Sequence, residues 1–126
     1  MYQITDKIAT HGIGQDSYPS TKAEEGYFEK TDYWLVDVRD ILDEIQPVEV
    51  YKNKIDYAVS CLEKHKKIVI CCGHGESRSN AIAMGVLMKH YHMDFSAAYQ
   101  LVKQRVPICE IEPCHLQALK QVFLNR

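Results

Sequence analysis

The sequence predicts an α/β fold with a small, mostly parallel central sheet flanked by helices. Tyr33-Trp34-Leu35-Val36-Asp37-Val38 and Ile68-Val69-Ile70-Cys71-Cys72 are short aromatic or β-branched runs that read as buried strands. Between and after them, apolar residues recur at the three- and four-residue steps of helices. Strand–helix–strand–helix alternation favours a layered arrangement with parallel strands.

Residues 11–32 carry Gly12, Gly14, Pro19 and Gly26 among polar side chains, and read as an irregular surface segment with room for one short helix. Residues 33–38 form the first clear strand. Val48, Tyr51, Ile55, Ala58 and Leu62 then mark an amphipathic helix. It ends in Lys64-His65-Lys66-Lys67, a solvated basic end that complements the helix dipole. Residues 68–72 form the second buried strand. Residues 81–88 have almost no polar face, which places their helix in the middle of the fold. Phe95, Ala98 and Val102 mark a further helix, and Leu116, Leu119 and Phe123 another, with Pro113 near its start. A length of 126 residues suits one domain spanning 1–126.

The composition, 46% apolar and 25% charged, supports a real core on a soluble chain. A net charge of −2 provides no global positive field to draw in nucleic acid or an anionic membrane. No amino-terminal apolar run with a basic flank marks a secretory signal. The apolar stretch 81–88 falls far short of the ~20 residues that span a bilayer. Five cysteines are an odd number without disulfide-framework spacing, and a reducing cytoplasm is the expected location. His74, His92 and His115 lie among them, yet neither C-x-x-C nor H-x-x-x-H occurs, so no metal site is expected.

The segment that carries chemistry is Cys71-Cys72-Gly73-His74-Gly75-Glu76-Ser77-Arg78-Ser79, between a buried strand and a buried helix. A loop that cradles phosphate must turn its N–H groups inward, and Gly73 and Gly75 permit the backbone angles required. The loop amides of Gly73, His74, Gly75, Glu76, Ser77 and Arg78 would face the phosphate or another oxyanion. The helix that follows adds unpaired N–H groups and the positive end of its dipole. The planar fork of Arg78 can grip two phosphate oxygens, which a lysine would not reproduce. These positive surroundings also favour thiolate over thiol at Cys72, so the loop that binds the phosphate activates the nucleophile. His74 and Glu76 are expected to be exposed loop tips, Cys61 an inert helix residue, and Cys109 and Cys114 packing residues.

Cys-x-x-Gly-x-Ser-Arg-Ser in this setting resembles the signature of the dual-specificity branch of the protein tyrosine phosphatases. Met93-Asp94-Phe95-Ser96-Ala97-Ala98 is similar to the lead into that family's next helix. Arg105 and Ile111-Glu112-Pro113 stand where later landmarks fall, so the resemblance covers about residues 33–126. It implies the compact phosphatase fold, a phosphorylated protein or peptide substrate, and no metal or organic cofactor. It also implies Cys72 as nucleophile, Arg78 as phosphate clamp, and Ser79 as a hydroxyl that aids release of the thiolate. The chain departs from the pattern at Cys71, where the family has histidine. It departs again before residue 33, where the family has an extra strand and one clear strand is legible here.

The resemblance further implies a general-acid aspartate about thirty residues before the nucleophile. Asp40 lies 32 positions before Cys72, just past the end of the first strand, and is the first choice. Asp43, 29 before, is the reserve, and Asp37, 35 before, belongs to the strand. Glu76 within the loop argues against a highly anionic inositol phosphate. His74-Gly75 looks like part of the loop of RNA 5′-triphosphatases in the same superfamily, an alternative that the acidic balance disfavours. Leu35-Val36-Asp37-Val38-Arg39 resembles a rhodanese strand, which makes a sulfurtransferase the second enzyme reading. A non-catalytic phosphate-binding pseudophosphatase is the third.

Overall fold

The computed structural model describes residues 1–12 and 32–124. Its strands are β1 (Tyr2–Gln3), β2 (Ile8–Gly12), β3 (Trp34–Asp37) and β4 (Ile68–Cys72). Its helices are α1 (Val48–His65), α2 (Arg78–His90), α3 (Phe95–Arg105) and α4 (Pro113–Val122). The sheet order is β1-β2-β4-β3. β4 runs parallel to both β2 and β3, and β1 adds one antiparallel pairing at the edge. Two of the three pairings are parallel, as expected of a mostly parallel sheet.

β4 is an inner strand with a parallel neighbour on each side, and all five of its residues are buried. Its alternation divides two clusters. Ile68, Ile70 and Cys72 join the main core with Tyr51, Ile55, Ile82, Met84 and Leu119 from the helices. Val69 and Cys71 join a smaller cluster with Ala9 and Tyr33 on the opposite face. α2 packs against α1, α3 and α4, and every residue from Arg78 to Met88 is buried. That placement explains why its sequence has no polar face.

Local chemistry sets the helix ends. Pro47 precedes α1, where its missing N–H costs no helical bond. α1 ends at Lys66, whose positive φ of 73° turns the chain while its N–H bonds Leu62 O. Asp94 caps α3 by accepting from the Ala97 N–H at 2.7 Å.

The sequence shows one strand before the signature strand, and the described residues hold three. β1 and β2 escape the periodicity because β2 reads Ile-Ala-Thr-His-Gly, with only three buried residues and two polar ones. The irregular segment expected over 11–32 begins later than that, since His11 and Gly12 pair with Cys71 and Cys72 as the end of β2. Residues 13–31, including the short helix allowed there, lie outside the described residues.

Candidate active site

β4 ends at Cys72 and α2 begins at Arg78, so residues 73–77 must turn within a short connection at the carboxyl edge of the sheet. Gly75 makes that turn with φ +76°, a conformation that side chains with a Cβ seldom adopt. Its N–H donates to Cys72 Sγ at 3.2 Å, and Ser79 Oγ lies 3.2 Å from the same sulfur. A thiolate there has two donors in place, one main-chain amide and one hydroxyl.

The loop is braced from outside. Asn80 Nδ2 donates to the carbonyls of Gly75 at 3.0 Å and Glu76 at 2.9 Å. The Glu110 N–H donates to Glu76 O at 2.8 Å, and the Glu112 N–H donates to Ser77 Oγ at 2.9 Å. These bonds occupy loop acceptors, the groups that would repel a bound oxyanion. From the β2 side, Gly12 lies so close that a Cβ there would meet His74 C at 2.6 Å and His74 O at 2.7 Å. Neither Asn80, Gly12 nor the 110–112 strap follows from the signature, because each acts on the loop from a separate element.

A cavity of about 190 Å³ opens over the loop, lined by Cys72, His74, Glu76, Ser77, Arg78, Asp43, Glu110 and Glu112. Of the lining residues Cys72 is buried while His74 and Glu76 are exposed, and Ser79, Gly73 and Gly75 are buried beside it. Arg78 is 7% exposed and braces the opposite wall. Its Nη1 donates to the carbonyls of Arg39 at 3.2 Å and Ile41 at 3.1 Å.

The two candidate carboxylates are handled differently. Asp40 is exposed, does not line the cavity, and pairs with Lys54 Nζ at 2.9 Å. Asp43 lines the cavity, with Oδ2 3.8 Å from Arg78 Nε and Oδ1 2.7 Å from His115 Nε2. Asp37, the last residue of β3, accepts from the Arg39 main chain and guanidinium at 3.0 Å. His115 stands out in the sequence only as a metal candidate, and in the fold it lies beside Asp43, 72 positions away.

The other thiols differ from Cys72 in their settings. Cys71 faces the small cluster behind the sheet. Burial pushes the Cys109 thiol up to about 11 despite the nearby Lys103 ammonium. Burial, joined by the Asp43 and Glu112 carboxylates, pushes the Cys114 thiol up as well. Both remain protonated near neutrality and make poor nucleophiles.

The chain belongs to the dual specificity phosphatase catalytic domain family, which it matches over residues 14–123. It is 30% identical over 97 residues to the dual specificity protein phosphatase MPK-4 of Drosophila melanogaster, covering 76% of this chain and 24% of that protein. Human DUSP28 shares its fold with a TM-score of 0.76 at 16% identity, over 96% of this chain and 94% of that one. A mouse putative dual specificity phosphatase complexed with zinc tungstate does so with a TM-score of 0.76 at 15% identity, over 95% and 84%. The chain spans about a quarter of the length of the curated relatives it matches.

Proposed function

We propose that this chain is a cysteine-dependent protein phosphatase that hydrolyses phosphomonoesters through a phosphocysteine at Cys72. The observation that carries the reading is the convergence of Cys72, Arg78 and a carboxylate on one cavity, with two hydrogen-bonding groups at the sulfur. The Cys72 thiolate attacks phosphorus, forming the S–P bond as the P–O bond to the substrate breaks. Arg78 and the amides of residues 73–78 stabilise the equatorial oxygens as charge builds on them. A carboxylic acid gives its proton to the departing oxygen. Water then attacks the phosphocysteine, the same carboxylate takes its proton, and S–P cleavage releases inorganic phosphate. Ser79 Oγ stabilises the thiolate as it leaves. This scheme requires no metal or cofactor.

For the acid, geometry favours Asp43 over the first choice, Asp40. Spacing alone chose Asp40, and in the fold Lys54 draws its carboxylate outside the cavity lining while Asp43 faces the space above the sulfur. The rim also bears on substrate class. Asp43, Glu76, Glu110 and Glu112 surround the cavity with negative charge, which suits a single phosphate on a peptide better than an inositol polyphosphate or an RNA 5′-triphosphate. Phosphopeptides should give the higher kcat/KM, and a tenfold preference for RNA triphosphate, about 1.4 kcal/mol at the transition state, would contradict this choice. No helix among the described residues is long and apolar enough to cross a membrane. A reducing cytoplasm suits a nucleophile that must remain a thiol, and cell fractionation tests that placement.

The pseudophosphatase reading is the competitor, favoured by Cys71 in place of the family histidine. Turnover of an activated aryl phosphate separates the two: steady hydrolysis supports the enzyme, and phosphate binding without hydrolysis supports the binding module.

A further inference from the structure

A polar chain with two buried members, Tyr51 and His115, reaches the active-site cavity, and the signature loop has no part in it. Gln46 Nε2 lies 3.4 Å from Tyr51 Oη, Tyr51 Oη lies 2.7 Å from His115 Nδ1, and His115 Nε2 lies 2.7 Å from Asp43 Oδ1. His115 is 0% exposed and Tyr51 1%. The chain ties together α1, α4 and the connection between β3 and α1, which carries Asp43. A ring buried in this core would pack as well if it were apolar, and a polar ring there is costly unless both nitrogens are satisfied. Here both are, and one of the two partners opens onto the cavity.

The donor inventory fixes the direction of the chain. The Asp43 carboxylate can only accept, so His115 Nε2 carries a proton and donates to Oδ1. In a ring with one proton Nδ1 is then the acceptor, and Tyr51 Oη donates to it while its oxygen lies within reach of Gln46 Nε2. Oδ1 is thereby occupied, and a proton carried by Asp43 resides on Oδ2, the oxygen on the Arg78 side.

We propose that His115, held in one tautomer by Tyr51, is a positioning residue that turns the proton-bearing oxygen of Asp43 toward the leaving group. The proposal rests on the reading of Asp43 as the general acid. It predicts a signature that ordinary packing would not produce. A core histidine of purely structural value, when replaced, lowers turnover of all substrates together or lowers the melting temperature. A positioning histidine matters in proportion to the need for protonation, which is large for phenyl phosphate and small for an activated aryl phosphate such as p-nitrophenyl phosphate.

The experiment compares kcat and KM on these two substrates for wild type, His115→Phe, His115→Gln, Tyr51→Phe, Asp43→Asn and the double variant His115→Phe/Asp43→Asn. His115→Phe should lower kcat/KM about tenfold on phenyl phosphate and less than about twofold on p-nitrophenyl phosphate, the cost of a misaligned acid. The affinity for inorganic phosphate should hold. His115→Gln keeps an N–H donor and should recover part of the loss. Tyr51→Phe should act in the same direction with a smaller effect, and carries the test by itself if His115→Phe does not fold. The double variant should be no slower than Asp43→Asn. Equal losses on both substrates for His115→Phe and Tyr51→Phe, or losses that multiply in the double variant, would overturn the positioning role while leaving Asp43 in place. Insensitivity of Asp43→Asn to the leaving group would instead overturn the acid assignment and the positioning role with it.

Discussion

Two connections leave the same edge of the sheet and meet over one cavity, and they are held in different ways. The turn at residues 73–77 between β4 and α2 is fixed largely through its own main chain. Gly75 supplies the left-handed backbone, Asn80 holds two carbonyls, and the strap at 110–112 donates to Glu76 O and Ser77 Oγ. The connection at 38–47 between β3 and α1 is held largely by side chains. Asp40 is drawn to Lys54, Asp43 to His115, and Gln46 both accepts from the Leu42 N–H and donates to its carbonyl. Arg78 joins the two through the carbonyls of Arg39 and Ile41. On the proposed reading, the nucleophile and the phosphate clamp share one contiguous stretch that Gly12 and the strap brace from outside, whereas the acid is placed by side chains scattered along the chain. Changes in the first connection should abolish the reaction, and changes in the second should grade it.

The largest effect belongs to the nucleophile. Cys72→Ser should cut turnover by roughly 10⁴-fold or more while phosphate binding, measured by calorimetry, survives. Arg78→Lys comes next, because a lysine cannot make the planar two-oxygen contact or hold both carbonyls of the facing connection. It should lower kcat by roughly 10²–10³-fold. If Arg78→Lys approached wild type, the bridge between the two connections would be unimportant.

In the second connection, Asp43→Asn should lower kcat/KM on phenyl phosphate by about 10²-fold and scarcely change it on p-nitrophenyl phosphate, while kcat falls on both because hydrolysis of the shared phosphoenzyme loses its base. Asp40→Asn, which removes an exposed ion pair, should stay within about twofold on both. The reverse pattern would return the acid to the position that spacing alone selects. A separate change tests the turn from behind: Gly12→Ala forces His74 outward and should weaken phosphate binding about tenfold, about 1.4 kcal/mol. Unchanged phosphate affinity would mean that β2 does not set the shape of the loop.

This division also explains what was legible in the sequence. Strand, loop and helix follow one another without interruption from Ile68 to His90, so hydrophobic pattern and glycine chemistry suffice to place Cys72 and Arg78 together. The first two strands are harder to read, because β1 is two residues long and β2 mixes buried aliphatic with polar positions. Linear spacing separates Asp40 from Asp43 by three residues and cannot say which one turns inward. That depends on Lys54 and on His115, which lie 14 and 72 positions from the aspartates they hold. His115 follows Cys114 without any metal-ligand spacing to give it a role, and only the packing of α4 against α1 brings its ring to Tyr51.

The most direct test of the account is to trap its intermediate. Asp43→Asn is mixed with p-nitrophenyl phosphate, quenched in acid during turnover, and examined by intact and peptide mass spectrometry. Formation of the phosphoenzyme from this substrate needs little acid, whereas its hydrolysis needs the carboxylate as base, so the covalent species should accumulate. The account predicts one phosphoryl group per chain, located on Cys72 and absent from the Cys72→Ser variant. Turnover without any phosphorylated cysteine, or a phosphoryl group on another residue, would contradict it.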